Sequence, residues 1–160
     1  MAAKRTGSRS HAQSASEKVA IRQFAEENAI QLEAREIVID NCKVNVDGYH
    51  ESPDGSRVVL AETWAHIGKA IGSQPKKVLT DVLKMVFIAE EIRRTRPGCD
   101  IKMYMIFIDK TAAKTLASDC WGGAAAKRFG VVPYVVSIDR SLIDAVAKAQ
   151  VAQNLLSEVL

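Results

Sequence analysis

Residues 43–92, which carry the strongest structural signals in the sequence, read KVNVDGYHESPDGSRVVLAETWAHIGKAIGSQPKKVLTDVLKMVFIAEEI. It contains two strand-like runs, Lys43–Glu51 and Arg57–Ala65, separated by SPDGS. The Asp54-Gly55 pair between them favours a tight primed turn, the kind that joins neighbouring antiparallel strands. The sequence therefore predicts a β-hairpin centred on Asp54 and Gly55.

Two acidic residues occupy matching places in this hairpin. Asp47 precedes the turn pair by seven residues and Glu62 follows it by seven, so a regular ladder places them directly opposite each other. Opposed side chains lie roughly 5 Å apart at Cβ, where like charges are destabilising unless they share a proton or bind a cation. The second strand is apolar on both faces around Glu62, so this carboxylate is expected to be buried and to need a partner. We interpret the pair as a cation site.

The helix predicted after the hairpin, from about Ser73 to Arg94, carries one polar stripe. Four side chains at 3-4-3 spacing fall within about 80° of one another around the helix axis, namely Gln74, Lys77, Asp81 and Lys84. Most of the remaining circumference is apolar, which is typical of a buried helix. The stripe is therefore expected to face either water or a polar cleft.

Each of these features also has a simpler interpretation. Asp47 and Gly48 form a turn-favouring pair themselves, which would make Asp47 a turn residue between shorter strands. Glu62 could lie on an exposed strand edge, and the helical stripe could be a solvated face held by its own ion pairs. Two opposed acids combined with a nearby polar stripe favour the cation site over these separate explanations.

Length and composition indicate one globular domain. The 160 residues suit a single core, and apolar and charged shares of 48% and 26% are ordinary. A net charge of +3 does not by itself argue for a nucleic-acid partner. The three cysteines, Cys42, Cys99 and Cys120, are widely spaced, which argues against a disulfide framework or a zinc site and indicates a reducing compartment. No apolar run approaches the roughly 18 residues of a membrane span, and no signal peptide is evident, so a cytoplasmic protein without a membrane partner is expected.

The remaining sequence supplies further helices and strands. Residues 1–15 are rich in Ser, Ala and basic side chains and are expected to form a flexible basic tail, which leaves 16–160 as a single domain. Ser16 is the expected cap of a first helix that reaches about Glu33. The later pattern predicts a short strand at 37–39, a strand at 101–108, a helix at 110–130 with Trp121 and Phe129 in the core, a strand at 134–138 and a last helix to about 159. This order gives an α/β fold, a mixed sheet with an antiparallel hairpin and parallel strands, flanked by helices.

These features resemble the PD-(D/E)XK, or restriction-endonuclease-like, nuclease superfamily. Members of that superfamily have a similar order of elements, namely a helix, a meander or hairpin, a helix and a strand. Their acidic residues lie on adjacent strands of the hairpin. The matching positions here are Asp47 in VDGY and Glu62 in LAETWA, and the resemblance covers about residues 16–138. It implies a restriction-endonuclease-like mixed sheet and a metal-dependent nuclease in which Asp47 and Glu62 hold Mg²⁺ or Mn²⁺.

One position departs from the superfamily pattern. The lysine expected two residues after the second acid is replaced by Trp64. Some members supply this lysine from the following helix, and Lys77 fits that role best, with Lys69 and Lys84 as further candidates. In the mechanism that the resemblance implies, Lys77 orients the attacking water or neutralises the transition state. Gln74 would hold that water or a metal ligand in place.

The resemblance also implies contacts and partners. His66, Lys69 and Lys84 would bind substrate, and Glu26 or Glu33 of the first predicted helix would complete the metal shell. The substrate is expected to be nucleic acid, with DNA preferred over RNA. Cutting both strands of a duplex would call for a second copy of the chain, and hence a homodimer.

Two other functions stay open. A module that keeps the fold but has lost the chemistry would act as a nucleic-acid-binding or assembly subunit, and Trp64 in the lysine position favours it. A small-molecule or nucleotide-binding α/β domain is disfavoured, because no Gly-rich phosphate loop joins a strand to a helix.

Overall fold

The computed structural model describes residues 11–117 and 119–158, the side chains of 153–158 excepted. The elements follow one another as α1 (His11–Glu27), β1 (Glu33–Ile39), β2 (Cys42–Glu51), β3 (Arg57–Trp64), α2 (Gln74–Thr95), β4 (Asp100–Phe107), α3 (Lys110–Ala113), a 3₁₀ turn (Lys114–Leu116), α4 (Trp121–Arg128), β5 (Val131–Val135) and α5 (Arg140–Glu158). None of the described helices is both long enough and apolar enough to cross a membrane.

A five-stranded sheet in the order β1-β2-β3-β4-β5 forms the middle of the molecule. β2 runs antiparallel to both of its neighbours, β1 and β3, and β3, β4 and β5 run parallel. The helices α2 and α4 belong to one face of this sheet and α1 and α5 to the other. The predicted α/β class, a mixed sheet flanked by helices, is therefore confirmed.

The hairpin of β2 and β3 pairs in the predicted register as far as Gly48 and Ala61. The turn itself is wider than predicted. The amide of Gly55 donates to the carbonyl of Ser52 at 2.8 Å, which centres the turn on the Pro-Asp pair between them, and Gly55 follows with a φ of +70°. Pro favours the first central position and Gly tolerates positive φ, so this turn suits its sequence better than a two-residue turn would. The register survives because the Ser52 amide still pairs with the carbonyl of Arg57.

The two-residue primed turn lies instead between β1 and β2. Asp40 and Asn41 have positive φ values of 48° and 64°, which short Asp and Asn side chains tolerate, and Ile39 pairs with Cys42 on either side of them. The sheet therefore opens with a three-stranded meander, and β1 is longer than the predicted strand at 37–39.

Two apolar cores lie on the two faces of the sheet because the side chains of β3 alternate between them. Leu60 and Trp64 pack with Val78 and Met85 of α2 on one face. On the other face, Ala61 and its odd-numbered neighbours pack with the apolar side chains of α1 and α5, including Ala20, Phe24 and Val146. A strand buried on both faces is what an interior position in a mixed sheet requires, and it fixes which way each polar side chain of β3 points.

The prediction of one long helix at 110–130 is wrong. The structure divides this segment into α3, a 3₁₀ turn and α4, with an extended residue at Ala117. Trp121 begins α4 and is 78% exposed, and Phe129 follows its end and is 53% exposed, so neither anchors the core. The break precedes the Gly-Gly pair of α4, at the point where Gly123 packs against the backbone of Ala117.

Three predicted boundaries also differ. Of the predicted tail, residues 1–10 lie outside the described residues, and residues 11–15 form the first turns of α1. Ser16 is fully buried and its hydroxyl donates to the carbonyl of Ala12 at 2.8 Å, so it does not cap the helix. The last strand, β5, begins three residues before the predicted 134–138.

Candidate active site

β2 contains a bulge beside the first candidate acid. Between two successive pairs of the β1–β2 ladder, β1 advances by two residues and β2 by three, and the extra residue lies in the segment that holds Asp47 and Gly48. A side chain is poorly accommodated at Gly48, because an added Cβ would lie 3.2 Å from the Cβ of Ala61. Bulges re-aim side chains near functional sites. Here the bulge removes Asp47 from the direction that a regular ladder would give it.

Asp47 and Glu62 are coupled through each other's strand. The amide of Asp47 donates to Glu62 Oε1 at 3.2 Å, and the amide of Thr63 donates to Asp47 Oδ2 at 3.1 Å. The regular β2–β3 ladder ends one step earlier, so the two carboxylates replace backbone carbonyls as acceptors. Hydrogen bonds from an amide to a carboxylate are stronger than those to a neutral acceptor. They hold the two strands together beyond the end of the ladder.

The two carboxylates open toward different faces of the sheet. Glu62 points to α2, where Oε2 contacts Lys84. Asp47 and Thr63 line a cleft of about 390 Å³ on the α1 side, and its other walls are formed by Ser14, Glu17, Lys18, Ile21, Leu32 and Ala34. Asp47 and Glu62 are thus neighbours, but they do not share one cleft.

The convergence expected of Asp47 and Glu62 is found instead between Glu62 and Asp81. The ammonium of Lys84 lies 2.8 Å from Glu62 Oε2 and 3.3 Å from Asp81 Oδ1. The Glu62 side chain is only 3% exposed, and those of Asp81 and Lys84 are 17% and 25% exposed. This part of the polar stripe on α2 therefore faces β3 rather than water, and a cation is held between two carboxylates.

These surroundings shift the pKa values of Glu62 and Lys84. Burial, and after it the charge of Asp47, raises the pKa of Glu62 to about 8, and the contact with Lys84 only partly opposes this. Burial works to lower the pKa of Lys84, but the hydrogen bond and charge of Glu62, together with Asp81, outweigh burial and raise it. Because each of these shifts depends on the charge of the other group, Glu62 and Lys84 titrate as one unit. A second cation close to Glu62 would favour the ionised form of this buried side chain.

Trp64, which stands in the expected lysine position, forms an aromatic stack. The indole is 3% exposed and lies against the His66 ring with centroids 3.9 Å apart and planes 12° apart. The ammonium of Lys77 lies 5.2 Å from the Trp64 ring centroid. Burial, and then the charge of Lys77, lowers the pKa of His66 to about 4, so this imidazole is neutral at pH 7. Lys77 therefore approaches the indole, whereas the ammonium that contacts Glu62 belongs to Lys84.

The other predicted contacts lie in the loop after β3. Gln74 Oε1 accepts the amide of Ile71 at 3.0 Å and so closes the turn that precedes α2. Lys69 is exposed and lines a hollow of about 460 Å³ with Lys114, while His66 Nε2 is 3.3 Å from Gln13 Nε2. The structure groups these side chains around the end of β3. The substrate-binding roles of His66, Lys69 and Lys84 stay predictions.

The first-helix acids predicted to complete the metal shell are placed elsewhere. Glu33 begins β1 rather than belonging to a helix, and it lines a separate hollow with the exposed Glu26. The acid of α1 that lines the Asp47 cleft is Glu17. Sequence reasoning missed it, although its spacing to the buried Ala20 and Phe24 places it on the helix face turned to the sheet.

Asp81 is the second residue that sequence reasoning underrated. The sequence places it in the helical stripe and does not indicate a contact with Glu62. Its spacing of three residues from Lys84 predicts their contact, but the approach of α2 to β3 that brings both to Glu62 is a tertiary feature.

The donor set suits a hard divalent cation. Carboxylate oxygens are the preferred ligands of Mg²⁺, which is commonly held by one or two carboxylates with waters and phosphate oxygens in the remaining positions. Glu62 and Asp81 offer such oxygens on one side of β3, next to Asp47. Across residues 11–117 and 119–158, no three His, Cys, Asp or Glu side chains gather into a metal-binding group. A metal held here would complete its coordination with water and substrate.

Comparison with known proteins gives no family. No protein-family model and no curated protein matches the sequence. Among solved structures, the fold is similar to the crystal structure of a repair endonuclease from Pyrococcus abyssi, with a TM-score of 0.44 and 13% identity over 84% of this chain and 50% of that one. It is also similar to the structure of EndoMS in apo form, with a TM-score of 0.41 and 9% identity over 83% of this chain and 49% of that one. The chain thus spans about half the length of the two structures.

Proposed function

We propose that this protein is a nuclease that hydrolyses phosphodiester bonds of DNA, or of RNA, with Mg²⁺ or Mn²⁺ held by Glu62 and Asp81 and with Asp47 beside them. The observation that carries the proposal is the ammonium of Lys84 between the carboxylates of Glu62 and Asp81, at 2.8 and 3.3 Å, in a largely buried setting. Charged groups gathered in this way, with a carboxylate pKa raised to about 8 at Glu62, are characteristic of functional sites.

The residues of this site have separate roles in the proposal. A bound divalent cation would acidify a water molecule and offset the negative charge that the phosphate gains. Glu62 and Asp81 hold the cation, and Asp47 adds a third negative charge while its amide fixes Glu62 Oε1. Lys84 neutralises charge on the phosphate in the transition state, the role that the resemblance to PD-(D/E)XK nucleases gives to a lysine. Lys77 and Gln74, which begin the same helical stripe, are left to orient the water or the substrate.

A second candidate function is a nucleic-acid-binding or assembly subunit that has the fold without the chemistry. The observation that favours it is the Trp64 side chain, which fills the expected lysine position and is buried against His66. In that case the ion pair of Glu62 and Lys84 would serve stability alone.

Cleavage assays on the full chain test the proposal. Plasmid DNA and a structured RNA are incubated with the protein in Mg²⁺, in Mn²⁺ and in EDTA. Cleavage is expected only with metal, and Glu62→Gln, Asp81→Asn and Asp47→Asn should each reduce the rate by about 10²–10³-fold, because each substitution removes one charge at nearly constant shape. Asp100→Asn is the matched control, since this carboxylate pairs with Arg57 at the opposite end of β3 and should leave the rate unchanged.

The same variants separate the two candidates. Fluorescence anisotropy with labelled DNA reports binding independently of cutting. Wild-type protein that binds DNA but cuts neither substrate under any metal condition would establish the non-catalytic candidate. Cleavage that persists in Glu62→Gln would refute the assignment of this site.

A further inference from the structure

An apolar surface lies on the side of the molecule formed by α2 and α4. Leu83 and Phe87 of α2 are 67% and 40% exposed, and Trp121 and Phe129 at the two ends of α4 are 78% and 53% exposed. We call these four side chains the α2–α4 face. Three of them border a groove of about 390 Å³ between the two helices, whose remaining walls are Lys76, Leu79, Thr80, Val82, Val86, Gly122 and Ala125.

The groove results from how the two helices meet. Gly122 of α4 faces Leu79 of α2 so closely that an added Cβ would lie 2.8 Å from a methyl carbon of Leu79. The helices therefore touch near the first turn of α4. Larger side chains project into solvent on both sides of this contact, namely Leu83 from α2 and Trp121 from α4. The surface thus presents both a projecting indole and an apolar recess.

The amount of exposed apolar area fits a protein interface. With roughly 150–250 Å² for a whole aromatic side chain and somewhat less for leucine, the α2–α4 face exposes on the order of 500 Å² of apolar surface. A standard interface covers about 800 Å² per partner, of which roughly 56–65% is apolar, or about 450–520 Å². The face therefore carries the apolar share of one complete interface, which is at the upper end of what a monomer leaves uncovered.

We propose that the α2–α4 face joins two copies of this chain in a two-fold symmetric dimer. A symmetric interface must be complementary to itself, so that a projection on one copy meets a recess on the other and the reverse. Trp121 beside the groove satisfies this condition on a single surface. The buried indole and leucine at its centre would supply most of the affinity, because large apolar anchors in the middle of an interface dominate binding.

Two segments of this sequence, residues 1–10 and α5, are poor sources of cover for this face. Residues 1–10, MAAKRTGSRS, contain three basic side chains and, apart from Met1, no large apolar one. The helix α5 packs with α1 on the opposite face of the sheet. A second copy brings the apolar area that neither segment supplies.

Sedimentation analysis of the full chain over a range of concentrations tests the proposal. The wild type is expected to form a species of twice the 17.5 kDa monomer mass. Leu83→Lys places a charge in the interface at a position that is exposed in the monomer, so it should leave the fold intact and raise the dimer dissociation constant at least about 30-fold. Val38→Lys, on an equally exposed valine of β1 (63%), is the matched control and should leave the constant unchanged.

Tryptophan fluorescence identifies the surface that is covered. The chain has two tryptophans, and Trp64 is 3% exposed while Trp121 is 78% exposed. Iodide should quench the wild type weakly at concentrations where it is dimeric, and should quench Leu83→Lys strongly through Trp121. A wild type that stays monomeric at all concentrations, or a dimer that Leu83→Lys does not weaken, would overturn the proposal.

Discussion

Glu62 is the side chain whose ionisation should leave the clearest mark on stability. Its folded-state pKa of about 8 lies above the ordinary 4.5, so between these values the folded protein binds a proton that the unfolded chain releases. The stabilisation is fully present below about pH 4.5 and is lost as the pH rises toward 8. We expect the free-energy advantage of the wild type over Glu62→Gln to shrink by roughly 2–4 kcal/mol between pH 5 and pH 8. Urea unfolding of both proteins at the two pH values measures it.

An exposed glutamate on the same helix as Lys84 provides the control for this titration. Glu90 is 64% exposed and pairs with Arg93 on the surface of α2. Glu90→Gln should differ from the wild type by a small and nearly constant amount across the same range, because exposed ion pairs contribute little. A Glu62→Gln difference that is equally flat would mean that Glu62 titrates as an ordinary carboxylate.

At the scale of residues, the pairing of the two hairpin strands was predictable, but the face of the sheet toward which each side chain points was not. The pairing of the strands that carry Asp47 and Glu62 follows from the alternation and turn signals between them, and it is present as predicted up to Gly48. Gly48 inside β2 is a local signal for the bulge, but the turning of Asp47 toward α1 also depends on how β2 pairs with β1. Helical spacing likewise identified the stripe, but whether Lys77 or Lys84 meets Glu62 depends on how α2 lies across β3.

At the scale of elements, two neighbouring glycines of α4 should respond differently to the same substitution. A Cβ on Gly123 would lie 1.9 Å from the carbonyl oxygen of Ala117, which is backbone and cannot move aside. A Cβ on Gly122 would meet only the end of the flexible Leu79 side chain, at 2.8 Å. We expect Gly123→Ala to lower the free energy of unfolding by about 3 kcal/mol and Gly122→Ala by less than about 1 kcal/mol, since alanine also favours the helix.

Urea unfolding at one fixed protein concentration compares the two variants, and each serves as the control for the other. Equal losses would mean that the segment from Ala117 to α4 can shift to admit a side chain. A larger loss for Gly122→Ala would place the close contact between α4 and α2 instead of between α4 and the preceding loop.

Elements with a strong and continuous pattern were predictable, and those held by tertiary contacts were not. The apolar runs that became β3 and β4 and the long periodic run that became α2 agree with the predicted spans to within about two residues. The segment 110–130 has helical composition throughout, yet it breaks where Gly123 must approach the backbone of Ala117. Trp121 and Phe129 are large and apolar, but these properties alone do not distinguish a buried side chain from an exposed one.

At the scale of the whole molecule, the sheet separates two polar environments that meet at the neighbouring strands β2 and β3. On the α2 side lie Glu62, Asp81 and Lys84, and on the α1 side lies the cleft with Asp47 and Thr63. The hydroxyl oxygen of Thr63 is buried and has no hydrogen-bond partner among the described residues. The loop of residues 65–73 follows β3 and leads to α2.

That loop is anchored by a residue far along the chain, which allows a final prediction. The amide of Ile67 donates to Gln150 Oε1 at 2.8 Å, and Gln150 Nε2 donates to the carbonyl of Ile67 at 3.0 Å, so α5 holds the loop by a paired contact. Gln150→Ala removes both bonds. It should lower the free energy of unfolding by about 1–2 kcal/mol and speed amide exchange at Ile67 by at least about tenfold, while Gly68 keeps part of its protection from Asp109. Hydrogen–deuterium exchange resolved by residue makes the measurement.

Gln23→Ala is the control for Gln150→Ala. Gln23 donates to the exposed Glu27 one turn further along α1, so this substitution should change neither the free energy of unfolding nor the exchange at Ile67 appreciably. If Ile67 exchanges equally slowly in both variants, α5 does not hold the loop, and its order must come from the strand that precedes it.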